Sequence, residues 1–417
     1  MSKAKKNIYI ISFSFLRGGA GIAAKRLTSL LDGVKDINLI KISADNANYL
    51  HFIKRIISYS LLFLQKDNIK CKKSINIFTL KKLKLILDNN NDSDNIFHFH
   101  WINNDTLSIF NFNKIPKNSI ITLHDEWFYC GIEHCYYFNE PKKEFIVGYK
   151  NKFKLIDIGY YVWKYKLKIL RTREDIIYTV PSTWLLKRAE ESKILKGKKI
   201  ALLHNPIDTN IFSPSPLSLN ISIRNNLGID QESIVIMFAS INETKNILKG
   251  NKSLYDALFL LQKNISSHQF NKITLLTFGG KFSNKELNFK TKNIGFIEKP
   301  SRLAELYSIA DMVIVPSLVE SFGQVAAEAQ SCGTPVIGYD NTGLTDIIVN
   351  EETGYLVKHN DSTALYNAIV KLMRLDKNKV SLMKKSAREN IKSKFSHEKI
   401  KSDYLEIIYR STSNCSN

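Results

Sequence analysis

Residues 320–328 read Glu-Ser-Phe-Gly-Gln-Val-Ala-Ala-Glu, so that seven residues separate two carboxylates. The largely apolar run 310–317 precedes this stretch, and Gly333-Thr334-Pro335-Val336 follows it. This order predicts a strand, a loop, a helix, a glycine turn and a further strand. Because the helix would start at the carboxyl end of a parallel sheet, its backbone N–H groups would be placed to bind an anion.

The two glutamates of this stretch are expected to face a common crevice. Glu328 follows Glu320 by about two helical turns, a spacing that returns side chains to one side of a helix. One carboxylate would then bind sugar hydroxyls, and the other would bind the ribose of a nucleotide. The alternative is a polar helix start in which Glu328 is merely solvated.

The size and composition of the chain predict a globular protein of two domains. It has 417 residues and a mean hydropathy of -0.17, and each half is large enough to bury its own core. The basic start leads into the short apolar run 7–13, which we interpret as a first strand and not as a signal peptide. Five cysteines without paired metal-ligand spacing fit a reducing compartment, so we expect a cytoplasmic location.

The net charge of +21 suggests an anionic partner, and general richness in Lys, Asn and Ile is the compositional alternative. Residues 142–173 interleave Lys and Arg with Tyr, Phe and Trp. This pattern suits an anionic membrane surface or single-stranded nucleic acid, and its alternative is a solvated helix with an aromatic core stripe. No helix-turn-helix, RNA-recognition or zinc-finger sequence is visible, which argues against sequence-specific nucleic-acid binding.

Strand-like and helix-like segments alternate along both halves of the chain, which predicts two parallel α/β domains. Turn-forming residues are dense at 204–216, and we place the domain boundary there. The predicted domains are 1–204 and 205–395, with a final helix at 396–417 that packs back on the first domain. Predicted strands are 8–13, 37–42, 96–101, 119–123, 176–180, 233–239, 272–278, 294–297, 312–315 and 335–339. Predicted helices are 22–31, 50–66, 74–88, 251–263, 300–310, 323–332 and 362–375.

A glycine-rich loop, Arg17-Gly18-Gly19-Ala20-Gly21, separates the first strand from the first helix. Its glycines would let the backbone approach another molecule closely, and a helix N-terminus favours an anion. The loop matches neither Gly-x-Gly-x-x-Gly nor a P-loop, and a simple tight turn is the alternative. In the second half, Lys249-Gly250 has the position of a cation that neutralises a diphosphate, and a solvated surface lysine is its alternative.

Three histidines end two predicted strands, in His98-Phe99-His100-Trp101 and Thr122-Leu123-His124-Asp125. Strand alternation places His98 and His100 on one face, so both are packed or both face a cleft. His124 is the better candidate for a hydrogen bond to a sugar or phosphate oxygen. A metal site with Asp125 is a weaker alternative, because no further ligand pattern supports it.

Together these motifs resemble those of GT-B glycosyltransferases, specifically the large retaining family 4. The His-x-His-Trp and Thr-Leu-His-Asp motifs are similar to those of the family branch whose members assemble bacterial exopolysaccharide, O-antigen and capsule. The resemblance covers nearly the whole chain and is carried in order by Gly18-Gly19, His98-x-His100-Trp101, Thr122-Leu123-His124-Asp125, Pro181-Ser182-x-Trp184, Asn205-Pro206-Ile207-Asp208, Lys249-Gly250, Ala310-Asp311, Pro316-Ser317, Glu320 to Glu328, Gly333-Thr334-Pro335-Val336 and Gly354-Tyr355-Leu356-Val357.

The resemblance implies an α/β protein of GT-B architecture, in which two Rossmann-like parallel-sheet domains face a cleft. A nucleoside-diphosphate sugar (NDP-sugar) would bind mainly to the second domain and the acceptor mainly to the first. Each candidate residue then has an implied role. Glu320 would hold donor-sugar hydroxyls, Glu328 the ribose, and the amides around Phe322-Gly323-Gln324 the sugar and phosphate oxygens. Lys249 would neutralise the diphosphate, the Gly18-Gly19 loop would lie against it, and His124 would lie beside the transferred sugar.

Two positions depart from the family pattern. Many relatives carry Gly-Arg where this chain has Ala239-Ser240, and near relatives often have Arg where it has Leu248. Lys249 is then the main identifiable cation of the donor site. No Asp-x-Asp motif follows a strand, and we expect no metal ion or other cofactor, the NDP-sugar being a co-substrate.

The expected function is that of a retaining hexosyltransferase. It would move a sugar from an NDP-sugar to a lipid-linked saccharide in bacterial surface polysaccharide synthesis. It would act as a peripheral protein at the inner face of the cell membrane, without a nucleic-acid partner. The alternatives are an NDP-sugar 2-epimerase or hydrolase on the same fold, and a non-catalytic module that binds anionic lipid or polymer. The motifs leave the nucleotide, the sugar, the linkage and the oligomeric state open.

Overall fold

The chain divides into two compact units, Met1–Pro206 with Ile400–Asn417 (unit 1) and Ile207–Lys399 (unit 2). The computed structural model describes residues 6–65, 71–90, 94–136, 144–151, 157–239, 247–280, 282 and 286–413. Each unit contains one six-stranded parallel sheet with helices connecting its strands. The predicted α/β class with two parallel sheets is therefore confirmed.

Unit 1 is built on a sheet of order β2-β1-β3-β4-β5-β6. Its strands are β1 (Lys6–Ile11), β2 (Ile37–Ile42), β3 (Ile96–Phe99), β4 (Ile120–Thr122), β5 (Ile177–Val180) and β6 (Lys199–Leu202). Its helices are α1 (Gly18–Ser29), α2 (Tyr49–Leu62), α3 (Lys81–Asp88), α4 (Glu144–Val147), α5 (Ile158–Leu170) and α6 (Thr183–Glu191), with a 3-10 helix at Ile109–Lys114. The central strands are buried along their whole length because helices cover both faces of a parallel sheet.

Unit 2 has the sheet order β12-β11-β10-β7-β8-β9. Its strands are β7 (Ile234–Ala239), β8 (Ile273–Phe278), β9 (Lys290–Asn293), β10 (Met312–Val315), β11 (Val336–Tyr339) and β12 (Gly354–Val357). Its helices are α7 (Leu217–Asn226), α8 (Asn251–Asn264), α9 (Ser267–Asn271), α10 (Pro300–Ile309), α11 (Gln324–Ser331), α12 (Ser362–Met373) and α13 (Lys377–Phe395), with 3-10 turns at Ile247–Lys249 and Gly343–Asp346. Two apolar clusters, one on each face of this sheet, form the core of the unit.

The last helix, α14 (His397–Ser413), contributes to the core of unit 1. Ile400, Tyr404, Ile407 and Ile408 recur at helical spacing and are buried in the cluster that contains Ile8 of β1. This burial brings residues more than 300 positions apart into one core.

Three predicted elements differ from the structure. The first helix, predicted at 22–31, begins at Gly18, so that the predicted glycine loop is the first turn of α1. Residues 74–80 carry apolar side chains at helical spacing but form neither helix nor strand, because Ser74 N–H donates to Ile132 O and Phe78 N–H to the Asp105 carboxylate. The strand predicted at 294–297 forms earlier, as β9, because an edge strand tolerates the exposed polar residues Lys290–Asn293. Ser240, and residues 142–143 and 152–156 of the basic-aromatic segment, lie outside the described residues.

Candidate functional site

The sheet of unit 2 changes direction of winding between β7 and β10. β7 pairs with β8 on one side, which follows it in sequence, and with β10 on the other. Ligands of open parallel α/β sheets bind at such a switch point, beyond the carboxyl ends of the strands. The chain segments that leave these two strand ends carry Lys249 and Glu320.

A backbone hydrogen bond and a close backbone contact join these two segments. The amide of Leu318 donates to the carbonyl of Leu248 at 2.8 Å. Gly250 has φ of +69°, and a Cβ built on it would lie 1.7 Å from the carbonyl oxygen of Pro316. Only glycine permits this approach, so the packing of one loop on the other requires Gly250.

Lys249 and Glu320 form an ion pair as a result. Lys249 Nζ donates to Glu320 Oε2 at 2.9 Å, and the two side chains remain 40% and 20% exposed. An ion pair this accessible contributes only about 0–1 kcal/mol, so either group can exchange its partner for a ligand at little cost. The pair therefore offers a cation and a hydrogen-bond acceptor side by side.

The N-terminus of α11 lies next to Glu320 in the chain. Gly323 precedes the helix with φ of +104°, and a Cβ there would come within 2.4 Å of the Leu344 side chain. Phe322 is buried and packs edge-on against Phe395, so only its backbone is available to a ligand. Helix amides at Gln324 and beyond are thus presented close to the ion pair.

A second loop supports the Glu320 segment from the carboxyl end of β11. Gly343 N–H donates to Glu320 O at 2.7 Å, and a Cβ on Gly343 would lie 2.6 Å from Ser321 O. The supporting role of this loop was not predicted, because a single sequence does not show which loop a glycine packs against.

Glu328 lies in the second turn of α11 and is buried. The helix begins at Gln324, so a loop and one helical turn, not two helical turns, separate the two glutamates. Tyr307 of α10 donates its hydroxyl to Glu328 Oε2 at 3.4 Å, and Thr334 in turn donates to Tyr307 O. A buried carboxylate needs such donors. No local pattern distinguished Tyr307 as its partner.

In unit 1, Gly18 and Gly19 lie after β1, which is flanked by β2 and β3 and so occupies the corresponding switch point. Gly18 has φ of +73°, and a Cβ on either glycine would meet no atom within 4 Å. Asp45 stabilises the segment between β1 and α1, because its carboxylate accepts hydrogen bonds from the Ser14 hydroxyl and the Phe15 amide. Exposed backbone with open space beside it is compatible with close approach of a ligand.

His124 follows β4, at the same edge of the sheet, and its imidazole Nε2 lies 3.0 Å from His100 Nδ1. Burial lowers the pKa of His124 to about 4, despite the opposing charge of Asp125, and burial also lowers the pKa of His100. Both rings are therefore neutral at pH 7. His98 and His100 are both packed, with His98 bonded to Tyr404 and Thr122.

The direction of the His100–His124 hydrogen bond follows from the other nitrogen of His100. His100 Nε2 is buried and has no partner among the residues that the structure describes. An orphaned N–H costs more than an orphaned lone pair of the same ring, so the proton of His100 belongs on Nδ1. His100 then donates to His124 Nε2, and His124 carries its own proton on Nδ1.

Asp125 is occupied by hydrogen bonds from its neighbours. It accepts from Trp101 Nε1 and His134 Nδ1, both at 2.7 Å, and from the Trp127 amide. Within the described ranges, no group of three or more His, Cys, Asp or Glu side chains is arranged to hold a metal ion. No helix among those residues is long and apolar enough to cross a membrane.

The basic-aromatic segment is only partly internal where the structure describes it. Trp163 is buried, and Lys166 is fully buried with its ammonium donating to Trp127 O and Gly131 O at 2.6 and 2.8 Å. Burial lowers the pKa of Lys166 to about 7. Trp163 and Lys166 of α5 are thus core residues, whereas Tyr161 of the same helix is exposed.

Comparison with known proteins relates the second unit to a described family. Residues 221–390 match the family model described as Glycosyl transferases group 1. This range contains Lys249, Glu320 and Glu328, together with the amides of Phe322-Gly323-Gln324.

Two curated relatives are themselves glycosyl-transfer enzymes by name. The N-acetyl-alpha-D-glucosaminyl L-malate synthase of Bacillus anthracis is 26% identical over 57% of this chain and 60% of its own length. A D-inositol 3-phosphate glycosyltransferase of Xylanimonas cellulosilytica is 31% identical over 46% of this chain and 47% of its own length. The chain therefore spans about half to three-fifths of the length of these relatives.

Solved structures match over the whole chain. A sucrose-phosphate synthase from Thermosynechococcus elongatus has a TM-score of 0.67 at 18% identity and covers 99% of this chain and 100% of its own. Anabaena HepE, solved with UDP and glucose, has a TM-score of 0.62 at 15% identity, with 96% and 99% covered. At these identities the likeness establishes the fold, and the chain has the GT-B fold of two Rossmann-like units.

Proposed function

We propose that the protein is a retaining glycosyltransferase that moves a sugar from an NDP-sugar to a lipid-linked saccharide in bacterial surface polysaccharide synthesis. The observation that carries the proposal is the Lys249–Glu320 pair beside the N-terminus of α11, at the switch point of a group 1 glycosyl transferase domain. The names of the curated relatives support transfer of a sugar, and the HepE structure solved with UDP-glucose supports a nucleotide-sugar donor.

The chemistry that this arrangement favours is departure of the diphosphate. When the bond between the anomeric carbon and the phosphate oxygen breaks, negative charge builds on that oxygen. The ammonium of Lys249 and the amides that begin α8 and α11 are fixed near the point where that charge develops. Preorganised donors of this kind contribute roughly 3 kcal/mol each to transition-state stabilisation, and no metal ion is needed in this scheme.

Glu320 is assigned to the hydroxyls of the transferred sugar and Glu328 to the ribose. The acceptor hydroxyl attacks the anomeric carbon from the face that the diphosphate leaves, and its proton passes to the departing phosphate oxygen. This route retains the anomeric configuration, as the family resemblance implies, and gives Glu320 no covalent role. In unit 1, His124 is assigned to the transferred sugar through its Nδ1–H, and the Gly18-Gly19 loop keeps its predicted role against the diphosphate.

The proposal is tested first by donor binding. Thermal unfolding of the purified protein is measured with UDP-, GDP- and ADP-sugars, and a cognate donor at 100 times its Kd stabilises by roughly 2.7 kcal/mol. Lys249→Met is expected to weaken the donor Kd by about 10–100-fold and so to reduce this stabilisation to roughly 0.4–1.4 kcal/mol. Lys252→Met, an exposed lysine one turn further on, is the matched control and is expected to preserve it.

Product analysis then separates the possible reactions. Incubation with the bound donor and a lipid-linked saccharide is expected to yield the elongated acceptor, measured by mass spectrometry. An isomerised NDP-sugar formed without acceptor would indicate an epimerase, and free sugar would indicate a hydrolase. Failure to bind any NDP-sugar, in an assay where a control transferase binds, would overturn the proposal in favour of a non-catalytic module.

A further inference from the structure

Helix α2 has its polar side against unit 1 and its apolar side exposed. Its buried residues are His51 and Ser58. The exposed side chains recur at helical spacing over about half of its circumference: Tyr49, Leu50, Phe52, Ile53, Ile56 and Ile57. A surface helix of a globular domain normally shows the reverse arrangement, so this face requires a specific explanation.

Polar contacts hold the helix in this orientation. Ser58 donates to Asp105 Oδ1 and Tyr59 donates to Asn104 Oδ1, both at 2.9 Å. Arg55 stacks on the Phe13 ring at 5.0 Å. The orientation is therefore fixed by satisfied hydrogen bonds and a cation–π contact, and a rotation that buried the apolar side would break them.

The apolar face continues past the end of the helix. Phe63 is 86% exposed, and Leu64 beside it is also exposed. Three exposed aromatic side chains, Tyr49, Phe52 and Phe63, therefore project along the 14-residue helix, roughly 21 Å long, and the residue that follows it. Aromatic rings on a helix lying flat are typical of the boundary between lipid headgroups and acyl chains.

The charge around α2 indicates what covers this face. Between Asp45 and Asp88 the sequence holds nine Lys and Arg and a single acidic residue, Asp67. α2 itself has no acidic residue, and Phe78, which lies under the Lys54 ammonium, leads directly into the exposed lysines 81, 82 and 84. An anionic surface complements this charge, whereas a second copy of a chain with net charge +21 would bring like charges together.

We propose that the outer face of α2 docks on an anionic lipid bilayer, with the helix lying in the interface and the neighbouring lysines against the headgroups. The proposal rests on the proposed function in one respect, because a lipid-linked acceptor requires the enzyme to reach a membrane. It moves the membrane contact from the basic-aromatic segment, whose α5 part is half-buried, to a helix for which the sequence predicted only the helical conformation.

The test is flotation of the full chain with vesicles of phosphatidylcholine containing 30% phosphatidylglycerol, against vesicles of phosphatidylcholine alone, at about 0.15 M salt. We expect binding to the anionic vesicles that weakens as salt rises. The double variant Phe52→Glu/Ile56→Glu is expected to lower the partition coefficient by about 30-fold or more. Phe296→Glu, which places a charge on an even more exposed aromatic side chain in unit 2, is the control and should bind as the wild type does.

A spectroscopic probe provides a second reading. Tyr49→Trp places an indole on the same face, and its emission should shift to shorter wavelength with anionic vesicles. Failure of the wild type to float, or equal flotation of the double variant, overturns the proposal. Loss of a dimer in the double variant, without vesicle binding by the wild type, would assign the face to a second copy instead.

The outcomes also separate this inference from the proposed function. NDP-sugar binding, measured by thermal shift, is expected to be the same in the wild type and in Phe52→Glu/Ile56→Glu, which also shows that the variant is folded. Donor binding without flotation would overturn the docking surface alone. Flotation without binding of any NDP-sugar would overturn the proposed function and leave the docking surface standing.

Discussion

Lys249 Nζ and Glu320 Oε2 lie 2.9 Å apart, although 70 residues separate them and the sequence assigned them to different parts of a donor. The contact couples the group proposed to bind diphosphate to the group proposed to bind the sugar. A diphosphate that draws the ammonium towards itself would free the carboxylate for sugar hydroxyls. The two roles are therefore expected to separate in kinetics when each charge is removed alone.

Glu320→Gln is expected to lower kcat by about 10–100-fold while changing the Kd of the donor little, because Lys249 remains available to the diphosphate. Lys249→Met is expected to weaken the donor Kd by a similar factor. Calorimetric titration and initial rates distinguish the two effects. A double variant whose losses simply multiply would contradict a functional coupling between the two side chains.

Glu328 is expected to accept hydrogen bonds from the ribose hydroxyls of the donor. Glu328→Gln should bind the NDP-sugar more weakly, by about 10-fold, because a hydrogen bond to a charged acceptor is replaced by a neutral one. The wild type should discriminate against a 2′-deoxy or 3′-deoxy donor, and the variant should lose that discrimination. Glu352→Gln, on the exposed turn before β12, is the control. Unchanged discrimination in Glu328→Gln would remove Glu328 from the ribose site.

Gly250→Ala tests the packing of the two loops. The new Cβ would lie 1.7 Å from Pro316 O, so the loop must shift, and both unfolding free energy and donor binding are expected to fall sharply. Gly295→Ala is a close control, because Gly295 has φ of +74° but no atom within 4 Å of the built Cβ. It should cost only about 1–2 kcal/mol from the left-handed backbone and leave donor binding intact. Equal effects of the two changes in thermal unfolding and titration would refute this account of Gly250.

The buried histidines predict an acid-sensitive unit 1. Burial lowers the pKa of His98 to about 3, against about 6.5 in an unfolded chain. Between these values the unfolded chain holds more protons than the folded one, so stability falls as pH falls from 6.5 towards 3. His98→Gln is expected to reduce the loss of unfolding free energy between pH 7 and pH 5 by about 1–2 kcal/mol. The exposed His268→Gln should leave the pH dependence of urea unfolding as in the wild type.

Tyr404→Phe is expected to destabilise unit 1. Its hydroxyl lies 2.5 Å from His98 Nδ1 in a fully buried site, and removal leaves the imidazole nitrogen without that partner. The expected cost is about 1–3 kcal/mol by urea unfolding. Tyr409→Phe, on the exposed side of the same helix, should change stability by less than about 0.5 kcal/mol.

Several elements followed directly from the sequence. Predicted strand 312–315 coincides with β10, and predicted helices 251–263 and 323–332 agree with α8 and α11 within one residue at each end. Apolar runs bounded by Gly and Pro specify these elements locally. The helix predicted over residues 74–80 does not form, because hydrogen bonds to Ile132 and Asp105, which are distant in sequence, outweigh the helical spacing of the apolar residues.

The candidate site was predicted only as a set of residue types. Lys249, Glu320 and Glu328 were each identified from their position after a strand or in a helix. Asp45, Tyr307, Gly343 and His100 were missed as supports, because each acts through a contact with a residue far along the chain. The orientation of α2 was missed for the same reason, since its periodicity gives an apolar face but not the side on which the protein lies.

The sequence by itself determined the alternation of strands and helices, the glycines at strand ends and the identities of the charged groups, because these depend on neighbours within one turn or one strand. Tertiary structure alone decided that Lys249 meets Glu320, that His100 directs its proton to His124, and that α2 exposes its apolar side. Each of these depends on which distant backbone or side chain fills the space around a residue, and hydrogen bonding and packing settle that only when the sheets are assembled.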